Sequence, residues 1–173
     1  MTLPLTEDQR MLQDAAQRFL ADRHPPAVAR GAAARSADAR LALWRDIAAQ
    51  GWPALLAPAA SDGLGLGLRE AWIVAEAAGR HLVSLPLVAN MVVLPTLCEA
   101  GLDGAPAHWA RVMMEGEAYF ADAALRPDGS AFFEGAGDGV PALAVRNIGP
   151  QALRLERYAP AAGVAGLDRR RRI

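Results

Sequence analysis

The chain begins its first predicted helix with the stretch LTEDQRML, residues 5–12. Thr6 and Gln9 stand three positions apart, as the N-cap and N3 residues of a capping box do, where each side chain accepts a hydrogen bond from the other residue's backbone N–H. Pro25 and Pro26 end the helix, because proline has no N–H for the helical ladder. Between these signals the apolar residues recur at helical spacing, which predicts a buried face of Leu12, Ala15, Ala16, Phe19 and Leu20.

Four more segments have helical patterning. Residues 38–50 end before Gly51, a residue type typical of helix ends, and Pro53 prevents resumption. Their predicted inward faces are Leu41, Trp44, Ile47 and Ala48 in 38–50; Trp72 and Ala75 in 68–78; and Trp109, Val112 and Met113 in 106–115. The segment 86–100 is apolar almost all round, so we expect it at the centre of a bundle and Val92 to be buried. Residues 27–37 fit a short helix or a loop.

Helical periodicity fades after Gly116. Short runs at 118–125, 131–134, 141–145 and 152–158 read as strands, and the Asp-Gly pairs at 128–129 and 138–139 are hairpin signals. We therefore predict two domains, 1–115 and 116–173. The predicted fold class is mainly α, a helical bundle followed by a small, partial antiparallel β-domain.

Composition excludes several classes of protein. The net charge of −1 gives no bulk attraction to nucleic acid or membranes. The apolar stretch 82–98 is interrupted by Ser84, Asn90 and two prolines, so it predicts a buried helix and not a membrane span. A single Cys98 allows no internal disulfide, and the N-terminus lacks the basic start of a signal peptide, so we expect a cytoplasmic protein.

Other motifs are weak. Gly63, Gly65 and Gly67 suggest a dinucleotide loop, but Leu68 stands where a third glycine is needed, which favours a flexible interhelical loop. The three histidines lack metal-ligand spacing, so no metal site is predicted. No Gly-x-Ser-x-Gly elbow is present. Cys98, in an apolar helix, is interpreted as a core residue.

Five segments in order carry a family resemblance: LTEDQRML at 5–12, LWR at 43–45 running to QGW at 50–52, DGLGLG at 62–67, EAAGR at 76–80, and Gly116-Glu117. Together they resemble the N-terminal helical domain of the acyl-CoA dehydrogenase family, over about two thirds of the chain. The C-terminal stretch GLDRRRR, residues 166–172, resembles a segment late in the β-domain of divergent members, including small subunits of heteromeric dehydrogenases.

The resemblance implies a flavoprotein oxidoreductase of lipid metabolism. Members use FAD and a glutamate from a later helical domain to dehydrogenate acyl-CoA thioesters at the α,β position, and they form homo- or hetero-oligomers. We expect this chain to be truncated before that domain, to contain no catalytic residue and to be inactive alone. The alternative is a non-catalytic subunit or assembly partner of a heteromeric acyl-CoA dehydrogenase. A stand-alone helical binding module is a third possibility.

The resemblance also locates a cofactor segment. The family's β-domain opens with a strand ending Thr-Glu-Pro before a Gly/Ser turn that faces the flavin. Here Leu125 replaces the threonine, Arg126 replaces the glutamate, and Pro127 and Ser130 remain. The candidate cofactor-binding residues are therefore Leu125, Pro127 and Ser130. The basic cluster 169–172 fits either a contact to the phosphate of CoA or a solvated tail.

Overall fold

A computed structural model describes residues 4–30, 36–99, 105–125, 131–134, 142–149, 152–158 and 171–172, with side chains up to Ala121. This part of the chain is mainly helical. Its α-helices are α1 (Glu7–Arg23), α2 (Pro26–Arg30), α3 (Ala37–Ala48), α4 (Leu68–Arg80), α5 (Leu87–Glu99) and α6 (Ala105–Met114), with single 3-10 turns at Trp52–Ala54 and Ala59–Ser61. The predicted N-terminal helical fold is confirmed, and α2 shows that the ambiguous region begins as a short helix.

The helix ends follow local side-chain chemistry. The Thr6 hydroxyl accepts from the Gln9 N–H at 3.2 Å, and the Gln9 side chain accepts from the Thr6 N–H at 3.1 Å, which confirms the capping box. Gly51 lies in the left-handed region at φ 74°, which confirms it as the residue that ends α3. Ser36, which was not among the predicted caps, has a hydroxyl that caps the start of α3 by accepting from the Ala39 N–H at 3.2 Å.

Two apolar clusters form the core of the described helices. The first lies where α1, α3, α4 and the start of α5 meet, and Trp44, Leu20 and Met91 are buried in it. The second joins α5 to α6 through Leu94 and Met113. The α5 helix contributes to both clusters, so one of its faces binds the two halves of the bundle together.

The inward faces of three helices, α1, α4 and α5, differ from the predicted ones. Trp72 is 55% exposed, whereas α4 buries Ala71, Ile73, Val74, Ala77 and Ala78. Three of these five residues are alanines, which let α4 pack closely against α1, and the bulky indole lies outside. The prediction that Ala15 is buried is also wrong. The prediction that Val92 of α5 is buried is wrong too, since Val88 and Val92 are 54% and 55% exposed. The α5 helix is therefore central by one face only.

Five strands form one sheet in the order β4-β3-β1-β2-β5: β1 (Ala121–Leu125), β2 (Ala131–Glu134), β3 (Ala142–Gly149), β4 (Ala152–Tyr158) and β5 (Arg171–Arg172). The pairs β1–β2, β3–β4 and β2–β5 are antiparallel, but β1 and β3 are parallel. The described sheet therefore differs from the expected partial antiparallel β-domain at this one pair. The reason is topological: β2 ends beside Asp122 and β3 starts beside Ala121, so the chain returns on the other side of β1.

Within the ranges that the structure describes, no helix is long and apolar enough to cross a lipid bilayer.

Candidate functional site

The route from the helices to the candidate cofactor segment passes through residues 116–121. Gly116 turns the chain at φ 76°, and its N–H donates to Met113 O at 3.3 Å. The Glu117 and Ala118 N–H groups both donate to Val112 O, at 2.9 and 3.1 Å. A Cβ at Gly116 would lie 2.9 Å from the Arg45 Cα, so the turn is pressed against α3 and only glycine fits there without a shift.

Two aromatic residues then fix the segment to the bundle. Tyr119 packs on Trp44 of α3, with ring centroids 5.5 Å apart, and Phe120 packs edge-on against Trp109 of α6 at 5.0 Å. Both residues are buried, as is Ala121, the first residue of β1. The chain therefore enters the sheet from inside the helical core and not from a surface linker.

A third helix holds the main chain of the same segment. Asn90 of α5 is 1% exposed, and its side-chain amide donates to Phe120 O at 2.8 Å and to Pro86 O at 2.7 Å. Its side-chain oxygen accepts from the Phe120 N–H at 2.9 Å. In the sequence, Asn90 stands out only as an interruption of an apolar run. The signal that could have found it is chemical, because a buried amide in an apolar helix needs hydrogen-bond partners.

Of the three predicted cofactor residues, Leu125 is the one whose backbone is described. It ends β1 and pairs with Ala131 of β2. Pro127 and Ser130 lie outside the described residues. The leucine side chain carries no hydrogen-bond donor, so at this position the chain does not offer the hydroxyl that the family resemblance associates with the flavin.

Of the basic cluster 169–172, the described residues Arg171 and Arg172 pair with β2 towards the other end of the β1–β2 strand pair. The backbone of Arg171 pairs with Glu134, which in turn pairs with Asp122, whereas Leu125 lies at the opposite end of β1. Arg169 and Arg170 lie outside the described residues. The register thus separates Arg171 from Leu125 by three positions, about 10 Å, along the strands and by two inter-strand spacings, again about 10 Å, across the sheet. A contact of this cluster to CoA phosphate stays a prediction.

The glycine-rich segment 63–67 is hydrogen-bonded to the preceding residues 54–58, so it is not the flexible interhelical loop that the sequence predicted. A Cβ at Gly63 would lie 2.2 Å from Ala57 O, so glycine is required for this close approach. Four consecutive N–H groups, of residues 63 to 66, donate to the backbone oxygens of Pro58, Ala54, Ala57 and Leu55 at 2.8–3.0 Å. Because these donors are used within the fold, they are not available to cradle a phosphate.

Polar side chains join the beginnings of α1 and α4. Gln9 donates to Glu70 at 2.7 Å, Glu70 accepts from the Gly67 N–H at 3.0 Å, and Arg69 donates to Pro4 O at 2.9 Å. The hydrogen bond from Gln9 is the main cause that holds the pKa of the Glu70 carboxyl below its ordinary value, and the backbone N–H groups act in the same direction. The group is a structural brace between the two helix ends.

Neither thiol nor metal chemistry is supported in this part of the chain. Burial raises the pKa of the Cys98 thiol, against an opposing hydrogen bond with Ser61, so the thiol stays protonated at neutral pH. Cys98 packs half-buried against the α5–α6 cluster, as expected of a core residue. Among the described side chains, no group of three or more His, Cys, Asp or Glu residues converges on a possible metal position.

With this geometry in place, comparison with known proteins gives the family. The family model described as "Acyl-CoA dehydrogenase, N-terminal domain" matches residues 6–117, about two thirds of the chain. The chain therefore belongs to the acyl-CoA dehydrogenase family, a family of oxidoreductases. No curated protein matches the chain. The matched region begins at the Thr6 capping box and ends at the turn that leads to Tyr119 and Phe120.

Proposed function

We propose that the chain takes part in the α,β-dehydrogenation of acyl-CoA thioesters, as an FAD-dependent member of its family. The observation that carries this proposal is the continuity between the matched helices and β1. The family match ends at Glu117, and Tyr119, Phe120 and Ala121 are buried against the helices where the strand that ends at Leu125 begins. This continuity supports the proposal, because the family resemblance places a cofactor contact at the end of this strand.

The proposal includes a division of the chain into an N-terminal helical domain, 1–115, and a partial middle β-domain, 116–173. Five strands in one sheet support it. The burial of Tyr119, Phe120 and Ala121 adds that the first residues of the second unit pack within the first. A cytoplasmic location and assembly with dehydrogenase chains belong to the same proposal.

The flavin, when bound, would supply the hydride acceptor. Leu125 is poorly suited to hold the flavin, because its side chain forms no hydrogen bond. Hydrogen bonds from this segment to the cofactor would therefore come from backbone groups and from Ser130. Together with Pro127 these are the positions that we propose near the cofactor. We derive no catalytic step from them.

A second function, that of a subunit or assembly partner in a heteromeric dehydrogenase, is favoured by two observations. One is the loss of the hydroxyl at position 125. The other is a run of exposed apolar side chains between residues 64 and 72, namely Leu64, Leu66, Leu68 and Trp72. Exposed apolar surface of this kind is typical of protein–protein contacts.

The test is an assay of the protein isolated with its natural partners. We expect acyl-CoA-dependent reduction of an electron acceptor together with formation of the enoyl-CoA product. If the purified protein alone carries this activity, the first function holds but the expectation that the chain is inactive alone is wrong. If activity appears only in a complex with a second dehydrogenase chain, the subunit function holds. If neither the protein nor any complex containing it acts on acyl-CoA, the proposal is wrong.

A further inference from the structure

We propose that Asn90 is the positioning residue that sets β1, and with it Leu125, relative to the helical domain. The consequence for cofactor binding rests on the function proposed above, but the positioning itself does not. The inference is drawn from three side-chain hydrogen bonds of one buried residue and from the register of the strand that follows.

Both N–H groups and the oxygen of the Asn90 side-chain amide have hydrogen-bond partners. Both N–H groups are used, one on Pro86 O and one on Phe120 O, and the oxygen accepts from the Phe120 N–H. Satisfying both main-chain groups of one residue is what a neighbouring strand does in a sheet. The Asn90 side chain therefore acts as one rung of a ladder, placed on a helix instead of a strand.

This rung comes directly before the sheet begins. Phe120 is followed by Ala121, which pairs with Ala142 of β3. The main chain is thus hydrogen-bonded to Asn90 of α5 at Phe120 and paired with β3 from the next residue onward. The bond from Asn90 to Pro86 O ties the amide to the first turn of its own helix, so the orientation of the amide is fixed from both sides.

The aromatic ring contacts of this segment cannot replace the two hydrogen bonds from Asn90 to Phe120. The Phe120–Trp109 contact holds a side chain, whereas the two hydrogen bonds from Asn90 hold the main chain on both sides of Phe120, one in each of its two flanking peptide groups. Leu125 lies five residues beyond Phe120, about 17 Å along an extended strand. A tilt of about 10° at Phe120 would therefore displace Leu125 by about 3 Å, which exceeds the tolerance of about 0.5 Å for a preorganised site.

Asparagine suits this position better than its nearest substitutes. Leucine has a similar shape but leaves the Phe120 N–H and C=O buried without partners. Aspartate keeps the acceptor for the N–H but places a charged oxygen against two carbonyl oxygens. Both variants, Asn90→Leu and Asn90→Asp, should loosen β1 more than they loosen the helices.

The first measurement is amide hydrogen exchange of the wild-type protein. The Phe120 N–H should be protected to the same degree as the interior amides of α5, because it bonds to a fully buried side chain. Exchange of this amide at the rate of an exposed loop would overturn the proposal without any variant.

The second measurement compares Asn90→Leu with Val74→Ala, a buried position on α4 that belongs to the other core cluster from Phe120 and whose truncation weakens the core. Asn90→Leu should raise exchange over 120–125 about tenfold more than it raises exchange in α1 and α4. Val74→Ala should raise exchange throughout in proportion to its lower stability. Equal patterns in the two variants would show that Asn90 is an ordinary core residue.

The third measurement connects the inference to cofactor binding. At equal global stability, Asn90→Leu should weaken FAD binding and alter the visible circular dichroism of the bound flavin, whereas Val74→Ala should leave both unchanged. If the wild-type protein and its complexes bind no flavin, the proposed function fails while the exchange result still decides the role of Asn90. If flavin binds equally well to both variants, the link between Asn90 and the cofactor segment is wrong.

Discussion

The side-chain amide of Asn90 bonds both main-chain groups of Phe120, a residue 30 positions further along the chain. This pair joins the most apolar helix of the bundle to the first strand of the sheet. Because Tyr119, Phe120 and Ala121 are buried on the same helices, the helical domain determines where β1 begins. The position of Leu125 at the far end of that strand follows from this start.

Replacement of Gly116 by alanine should lower the free energy of unfolding by about 2–4 kcal/mol. The left-handed φ of 76° is unfavourable for alanine, and the new Cβ would lie 2.9 Å from the Arg45 Cα, which is backbone and cannot move aside. The matched control is Gly79→Ala in α4, where a Cβ meets nothing within 4 Å. This change should raise stability by about 0.5–1 kcal/mol, through the better helix propensity of alanine. Urea unfolding checks both, and equal effects would contradict the close packing of the turn on α3.

Two aspartate substitutions on α5 should differ sharply. Leu94 is fully buried and Val92 is 55% exposed. Leu94→Asp places an unpaired charge in the core and should unfold the domain, at a cost of several kcal/mol. Val92→Asp places its charge in solvent, so the protein should fold and melt within a few degrees of the wild type. Loss of folding in Val92→Asp would show that this face of α5 is buried after all, and circular dichroism melting of the two variants decides the point.

Removal of the Tyr119 hydroxyl should not destabilise the protein. In the part of the chain that the structure describes, this buried oxygen has no hydrogen-bond partner. Tyr119→Phe keeps the ring contact with Trp44 and removes a desolvated polar atom, so stability should stay equal or rise by up to about 1 kcal/mol. Tyr119→Leu, which loses the ring contact as well, serves as the control and should destabilise. A clear loss of stability in Tyr119→Phe would show that the hydroxyl is hydrogen-bonded.

The brace between α1 and α4 should depend on pH. The pKa of Glu70 is lowered from an ordinary value of 4.5, so the carboxylate favours the folded state at any pH above that value. This contribution is lost as the pH falls through the lowered pKa. The stability difference between wild type and Glu70→Gln should therefore be largest near neutral pH, at most about 1 kcal/mol because the site is near solvent, and should shrink below pH 4.5. Asp14→Asn, at an exposed carboxylate of α1, is the control, and a difference that grows on acidification would contradict the assignment.

Local signals in the sequence predicted the helix ends better than the helix faces. The Thr6–Gln9 capping box and Gly51 act through neighbours within a few residues, so the sequence alone contains their explanation. Trp72 and Val92 were placed wrongly because the face that a helix buries depends on its partners. In α4 the choice of alanines over Trp72 reflects close packing against α1, which periodicity does not encode.

Long-range bonds were the hardest features to predict. Nothing in the spacing of Asn90 and Phe120 indicates that they meet, and the pairing is visible only once α5 and β1 are both in place. The strands 131–134 and 152–158 were predicted with their correct bounds, but the parallel β1–β3 pair was not, because strand order is not written in local patterns. Of the candidate cofactor residues, Leu125 alone has a described place, at the end of β1, and its role stays a prediction.

The most direct test of the proposed function is the visible absorbance spectrum of the protein isolated with its natural partners, recorded before and after anaerobic addition of acyl-CoA. Bound oxidised flavin makes such a sample yellow, and electron transfer from the substrate bleaches it. The account predicts a yellow protein, alone or in complex, that loses its colour on addition of acyl-CoA. A colourless protein, or a flavin that acyl-CoA leaves unchanged in every complex containing this chain, would contradict it.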